Sequence, residues 1–180
     1  MPISLHTASV DIFVKSLLTL KRILKKAQSH PDSASFPSAR LYEDMHPLSF
    51  QIQAVSTRSV AFVERLLPEK GPAPTWEDNE STIEELLDRV DKTLEWLGRV
   101  EEKDFKNGEE DRVMELPMSA TESIALEVKG YALGWTVPHV FFHVSMAYAI
   151  LRHKGVSLGK KDFTSEFIEP IVLEVREKSA

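Results

Sequence analysis

Four separate stretches of this chain carry apolar residues at spacings of three and four, the pattern of helices that each bury one stripe. From Leu5 to Gln28 the stripe is Val10, Phe13, Leu17, Leu20 and Leu24. That helix ends among Lys21, Arg22, Lys25 and Lys26, cations suited to the negative end of the helix dipole, and Pro31 blocks continuation. The second stripe, Leu48, Ile52, Val55, Ser59, Phe62 and Leu66, begins behind Pro47 and stops near Pro68. Ser81 and Glu84 read as a capping box opening the third helix, whose buried face is Ile83, Leu86, Leu87, Val90, Leu94 and Leu97. Short alternating runs, "RVMELP" and "ESIALEV" around "MSAT", interrupt the helical period and predict a small β-hairpin or an irregular excursion before a fourth helix.

These elements define an all-α antiparallel four-helix bundle, an architecture whose sites are built from side chains on facing helices. A chain of 180 residues, 42% apolar and 28% charged, suits one domain with one core. The net charge of −6 and the lack of a dense basic patch argue against nucleic acid or an anionic membrane as partner. Between Glu77 and Asp111 lie 14 of the 28 carboxylates, read as a solvated outer face. Without cysteine there are no disulfides, thiolate nucleophiles or thiolate metal ligands, so any metal takes His, carboxylate or amide donors. The N-terminus lacks a signal-peptide pattern, and no run of about 18 apolar residues occurs, so a cytoplasmic location is expected.

Chemistry concentrates in the fourth helix, in "PHVFFHVSMAYAILRHKG". His139, His143, Met146 and Ile150 share one face, pointing into the bundle. Two imidazoles one turn apart can reach one divalent metal, zinc or nickel, or act as an acid/base pair, or sit as satisfied core side chains. Pro138 cannot donate to the carbonyl of Gly134, which predicts a kink and a cleft beside His139, with Gly130 and Gly134 supplying space and Trp135 and Tyr131 as walls. Gln51 falls on the buried stripe of the second helix, where its amide must find an internal partner or cost about 1–3 kcal/mol. His46 stands near the start of that helix, and His6 leads the first stripe; both are further pocket candidates with Met146.

The segments "MPISLHTASVDIFVKSLLTL", "DMHPLSFQIQ" and "GYALGWTVPHVFFHVSMAYAILRHKGVSLGKKDF" resemble an uncharacterised family of fungal and bacterial proteins within the DinB/YfiT-like superfamily. The resemblance runs from Ile3 to about Phe163, with "YAILR", Gly155 and "GKKDF" its distinctive parts. It implies a DinB-like up-and-down bundle, a homodimer, and a superfamily of metal sites and thiol-cofactor transferases, in which one His of helix two joins an H-x-x-x-H pair of helix four. His139 and His143 match the pair, whereas Gln51 takes the helix-two position. An amide oxygen is a poor substitute for imidazole around a transition metal, so weak, substitutable or absent metal is expected, with Gln51 or His46 as third ligand. Residues 1–163 form the bundle; residues 164–180, with Phe167, Ile171, Leu173 and Val175, form an appendage packed on the bundle or a partner subunit.

Three functions fit. The leading one is an enzyme binding a small molecule in an inter-helix pocket, of isomerase, dehydratase or cyclase type, with His139 and His143 as catalytic acid/base groups and Gln51 orienting substrate or water. The second is a metal-dependent DinB-like hydrolase or transferase with a degenerate His/His/Gln site. The third is a non-catalytic dimeric binding module.

Overall fold

A computed structural model of the chain describes residues 3–106 and 108–178, with side chains as far as Leu173 along the last helix. Three long helices come first: α1 (Val10–Gln28), α2 (Leu48–Leu66) and α3 (Ile83–Leu97). A hairpin of β1 (Val113–Pro117) and β2 (Ser123–Glu127) separates them from α4 (Val137–His153) and α5 (Lys160–Lys178). The stripes read from the sequence form the core, with Phe13, Leu17, Leu20, Leu24, Ile52, Val55, Phe62, Leu86 and Val90 all fully buried. Each such side chain contributes roughly 1.5–3 kcal/mol by leaving water. Leu87 and Leu94 sit at the edge of the α3 stripe and are only half-buried.

Residue pairs fix the helix directions. Lys21 reaches Asp91, and Gln28 donates to Glu84, so α1 and α3 run antiparallel. Gln51 meets His143 and Arg65 meets Tyr131, so α2 and α4 also run antiparallel. The bundle is thus two antiparallel pairs side by side, with α2 and α3 running in the same sense: Arg89 contacts Gln53 and Thr57, while Lys70 reaches the Arg99 carbonyl beyond the helix ends. The long connections 29–47 and 67–82 make this possible, since only short loops force consecutive helices to be antiparallel neighbours.

Three local features differ from expectation. The first helix is broken at Ser9 (φ −135°, ψ −74°), behind a single turn Leu5–Ala8. The buried Ser9 hydroxyl donates to the Leu5 carbonyl at 2.6 Å, a local side-chain bond that competes with the helical ladder. The capping box of α3 is Thr82 with Glu85, one residue later than Ser81 with Glu84. "STIEE" contains both spacings, and the buried Ile83 selects the second by requiring the helix to begin there. Finally, a Cβ at Gly130 or Gly134 would meet nothing within 4 Å, so neither glycine is needed for close approach.

The excursion is a regular hairpin, with Val113 opposite Glu127 and Pro117 opposite Ser123. Met114 and Leu116 face the bundle, while Val113 and Ile124 face out. The linker before α3 is pinned by Arg89, a 1%-exposed guanidinium that donates to Asp78 and Glu80 and lies 4.4 Å from the Trp76 ring centre. The carboxylate-rich segment therefore holds a buried ion pair as well as a solvated face. Burial alone would raise the Glu80 pKa, but hydrogen bonds from Arg89 and Gln53 outweigh it and hold the carboxyl below its ordinary value.

The cations closing α1 do more than complement its dipole. Arg22 pairs with Glu166 and Lys26 with Asp162, tying α1 to α5, and Thr19 donates to the Phe163 carbonyl. Helix α5 spans the division at residue 163 suggested by the sequence. Its start packs on α1, with Ser165 buried and Phe167 against Phe141. Farther along, Ile168, Ile171 and Leu173 are exposed, while the Val175 side chain lies outside the described residues. Among the described residues, no helix is long and apolar enough to cross a membrane.

Candidate functional site between α2 and α4

The antiparallel pairing of α2 and α4 brings Gln51 against His143, both buried, at 3% and 6% exposure. The Gln51 amide nitrogen donates to the carbonyls of His46 (3.0 Å) and Pro47 (3.3 Å) at the start of α2. Its oxygen therefore faces the histidine and accepts a hydrogen bond from His143 Nδ1 at 2.8 Å. One turn earlier, His139 Nδ1 donates to the Trp135 carbonyl at 2.7 Å. A carbonyl can only accept, so both rings carry a proton on Nδ1, and in a neutral ring the lone pair is then on Nε2.

His143 is held neutral. Burial lowers its pKa to about 4, helped by the positive charge of Arg58 and by His139 and His46. The ring is bounded by Phe142 and Phe50 edge-on, and Phe50 in turn stacks on the His46 ring at 3.8 Å. His46 is thus fixed as an outer wall with its backbone holding Gln51. Met146 lies half-buried one turn beyond His143. His6 is elsewhere: its Nε2 contacts the Val100 carbonyl, its Nδ1 stands 3.3 Å from Asp11, and its ring packs on Phe105.

The expected kink takes the form of a π-helical turn over Tyr131–Thr136, in which the Val137 N–H donates five residues back to Ala132. The wider turn lies directly before Pro138, whose missing N–H the α-helical ladder cannot use. It opens a cavity of about 240 Å³ beside Tyr131, Trp135 and Thr136. This cavity lies one turn upstream of His139, which adjoins it through the Trp135 ring at 5.0 Å. Its other walls include Arg58 and Arg65 of α2 and Leu116 of β1. Sequence reasoning missed both arginines and Thr136: on the edge of a helical stripe, arginines look like ordinary surface cations.

The donor set does not match the three-histidine metal centre that the resemblance implies. Two imidazole Nε2 atoms are available, but the helix-two oxygen of Gln51 is turned to the His143 ring. Among the described residues, no group of three His, Asp or Glu side chains stands close enough to share an ion. Gln51 acts here as the group that orients His143, the role usually played by the outer partner of a metal-bound histidine.

The helix order, the hairpin before α4 and the H-x-x-x-H pair facing α2 define a DinB-like bundle. The chain belongs to the family described as a domain of unknown function, DUF1993, whose model matches residues 5–164. It is similar to the crystal structure of a DinB family member protein from Shewanella denitrificans, with a TM-score of 0.78 and 31% identity, covering 88% of this chain and 90% of that one. No curated protein matches it.

Proposed function

We propose that this protein is an enzyme that binds a small organic molecule between α2 and α4 and moves a proton on it, in an isomerisation, dehydration or cyclisation. The observation that carries this reading is the pair of Nδ1 hydrogen bonds, to Trp135 and Gln51, from two histidines on one face of α4 whose Nε2 atoms those bonds leave unused. Such pre-set tautomers cost no reorganisation when a substrate arrives. With a pKa pushed down to about 4, His143 is neutral at physiological pH and serves as a hydrogen-bond or proton acceptor. His139 is more open to solvent and is the group that exchanges the transferred proton with water. Positioned acid/base groups of this kind contribute about 10²–10⁴-fold to a rate.

The test is solvent deuterium incorporation. The protein is incubated in D₂O with a mixture of small metabolites, and the products are read by mass spectrometry. One compound should gain deuterium with the wild type and lose that gain with His139→Ala and His143→Ala. A compound retained by the protein but never exchanged would contradict proton transfer and identify a binding module instead.

A further inference from the structure

The cavity opened by the π-helical turn has the chemistry of an oxyanion site. Arg58 and Arg65, two turns apart on α2, both line it, and among the described residues no carboxylate does. Of the other arginines, Arg22, Arg89, Arg99 and Arg112 are paired with a carboxylate, whereas Arg40 and Arg152 donate to backbone carbonyls. Arg58 has its Nε buried without a hydrogen-bond partner among the described residues, and so does the hydroxyl of Thr136, a residue only 2% exposed. Buried donors normally find acceptors, and these two belong to residues that line the cavity. Arg65 Nη1 donates to the Tyr131 hydroxyl at 2.7 Å, which leaves the phenolic proton free to donate in turn. The Tyr131 ring is locked by stacking on Phe62, so this donor is fixed in place.

The geometry points to a binding site for a small organic acid, its carboxylate or phosphate held by Arg58, Arg65 and the hydroxyls of Tyr131 and Thr136, with Leu116 and Trp135 against its apolar body. Charge-assisted bonds to guanidinium are the strong class for such groups. The volume falls just below the roughly 300–1,000 Å³ of pockets for drug-sized ligands, which selects a compact molecule. This inference names the substrate class of the proposed enzyme and rests on that reading, since the bound acid lies beside Trp135, whose carbonyl holds His139.

Isothermal titration calorimetry on the full chain tests it, with benzoate, succinate, phenyl phosphate and inorganic phosphate as probes and benzamide as the neutral control. At least one anion should bind and benzamide should not; the carboxylate and phosphate arms identify the head group. Arg58→Met and Arg65→Met should each weaken binding by about tenfold or more. Thr136→Val, close to isosteric, should weaken it less and guards against misfolding of the arginine variants. His139→Ala should retain anion binding, so that failure of proton exchange alone overturns the enzyme reading and leaves the anion site standing. Failure of every anion to bind, or binding indifferent to all three pocket substitutions, overturns the anion site.

Discussion

At the scale of single residues, the hydrogen bond between Gln51 and His143 governs behaviour with pH. The ordinary histidine pKa is about 6.5 in the unfolded chain, and the folded value is about 4. As pH falls through this interval the unfolded state takes the proton first, so the contribution of neutral His143 is complete above pH 6.5 and is lost toward pH 4. The interval corresponds to about 3 kcal/mol at most. Carboxyls held below their ordinary values, Glu80, Asp104 and Asp162, lose stability in the same direction at lower pH, but equally with or without His143. Urea unfolding of wild type and His143→Gln between pH 4.5 and 7 should therefore give a steeper decline for the wild type. Parallel curves would show that His143 is not held neutral. The position of Gln51 on a buried stripe was legible from spacing alone, because a buried amide demands an internal partner. Arg58, Arg65 and Thr136 were not legible, because what makes them a site is a wall supplied by distant elements.

At the scale of elements, helical periodicity carries the four long helices because their stripes bury against one another. It says nothing of where a stripe is interrupted. The break at Ser9 and the shift of the α3 cap to Thr82 turn on which side chain wins a backbone group, and near-equal competitors stand one residue apart. The π-helical turn is similar: Pro138 announces a disturbance, but whether the chain kinks or widens is decided by packing around Tyr131 and Trp135. The linker before α3 has no periodicity, and its placement depends on Arg89. Arg89→Ala removes the cation facing the buried Glu80 carboxylate, which is 9% exposed. Breaking a buried pair from one side typically costs about 3–5 kcal/mol. Thermal or chemical unfolding should show a loss of that order; a loss below about 1 kcal/mol, the scale of surface pairs, would mean that the pair does not anchor the linker.

At the scale of the whole molecule, two antiparallel pairs and a hairpin enclose one core, and α5 lies across α1. The first turns of α5 are held by Lys26, Arg22 and Thr19, whereas Ile168, Ile171 and Leu173 face solvent. Pro170 also removes one helical donor midway. Hydrogen exchange should find slow amides around Ser165 and Glu166 and fast ones beyond Pro170, since local opening follows buried contact. Uniform protection along α5 would contradict this division. The bundle itself was legible because every stripe needed the others, while the pairing of α1 with α3 was hidden by long connections that leave helix order free.

The proposed chemistry needs Nδ1 protonated on both rings and His143 neutral, with its lone pair on Nε2. Nitrogen-15 NMR of histidine-labelled protein at pH 7 measures this directly, through the ring-nitrogen shifts and couplings of His139 and His143 assigned by single substitution. The predicted result is the neutral Nδ1–H tautomer for His143 and a proton on Nδ1 of His139. An Nε2–H tautomer at either, or a protonated His143, would contradict the account.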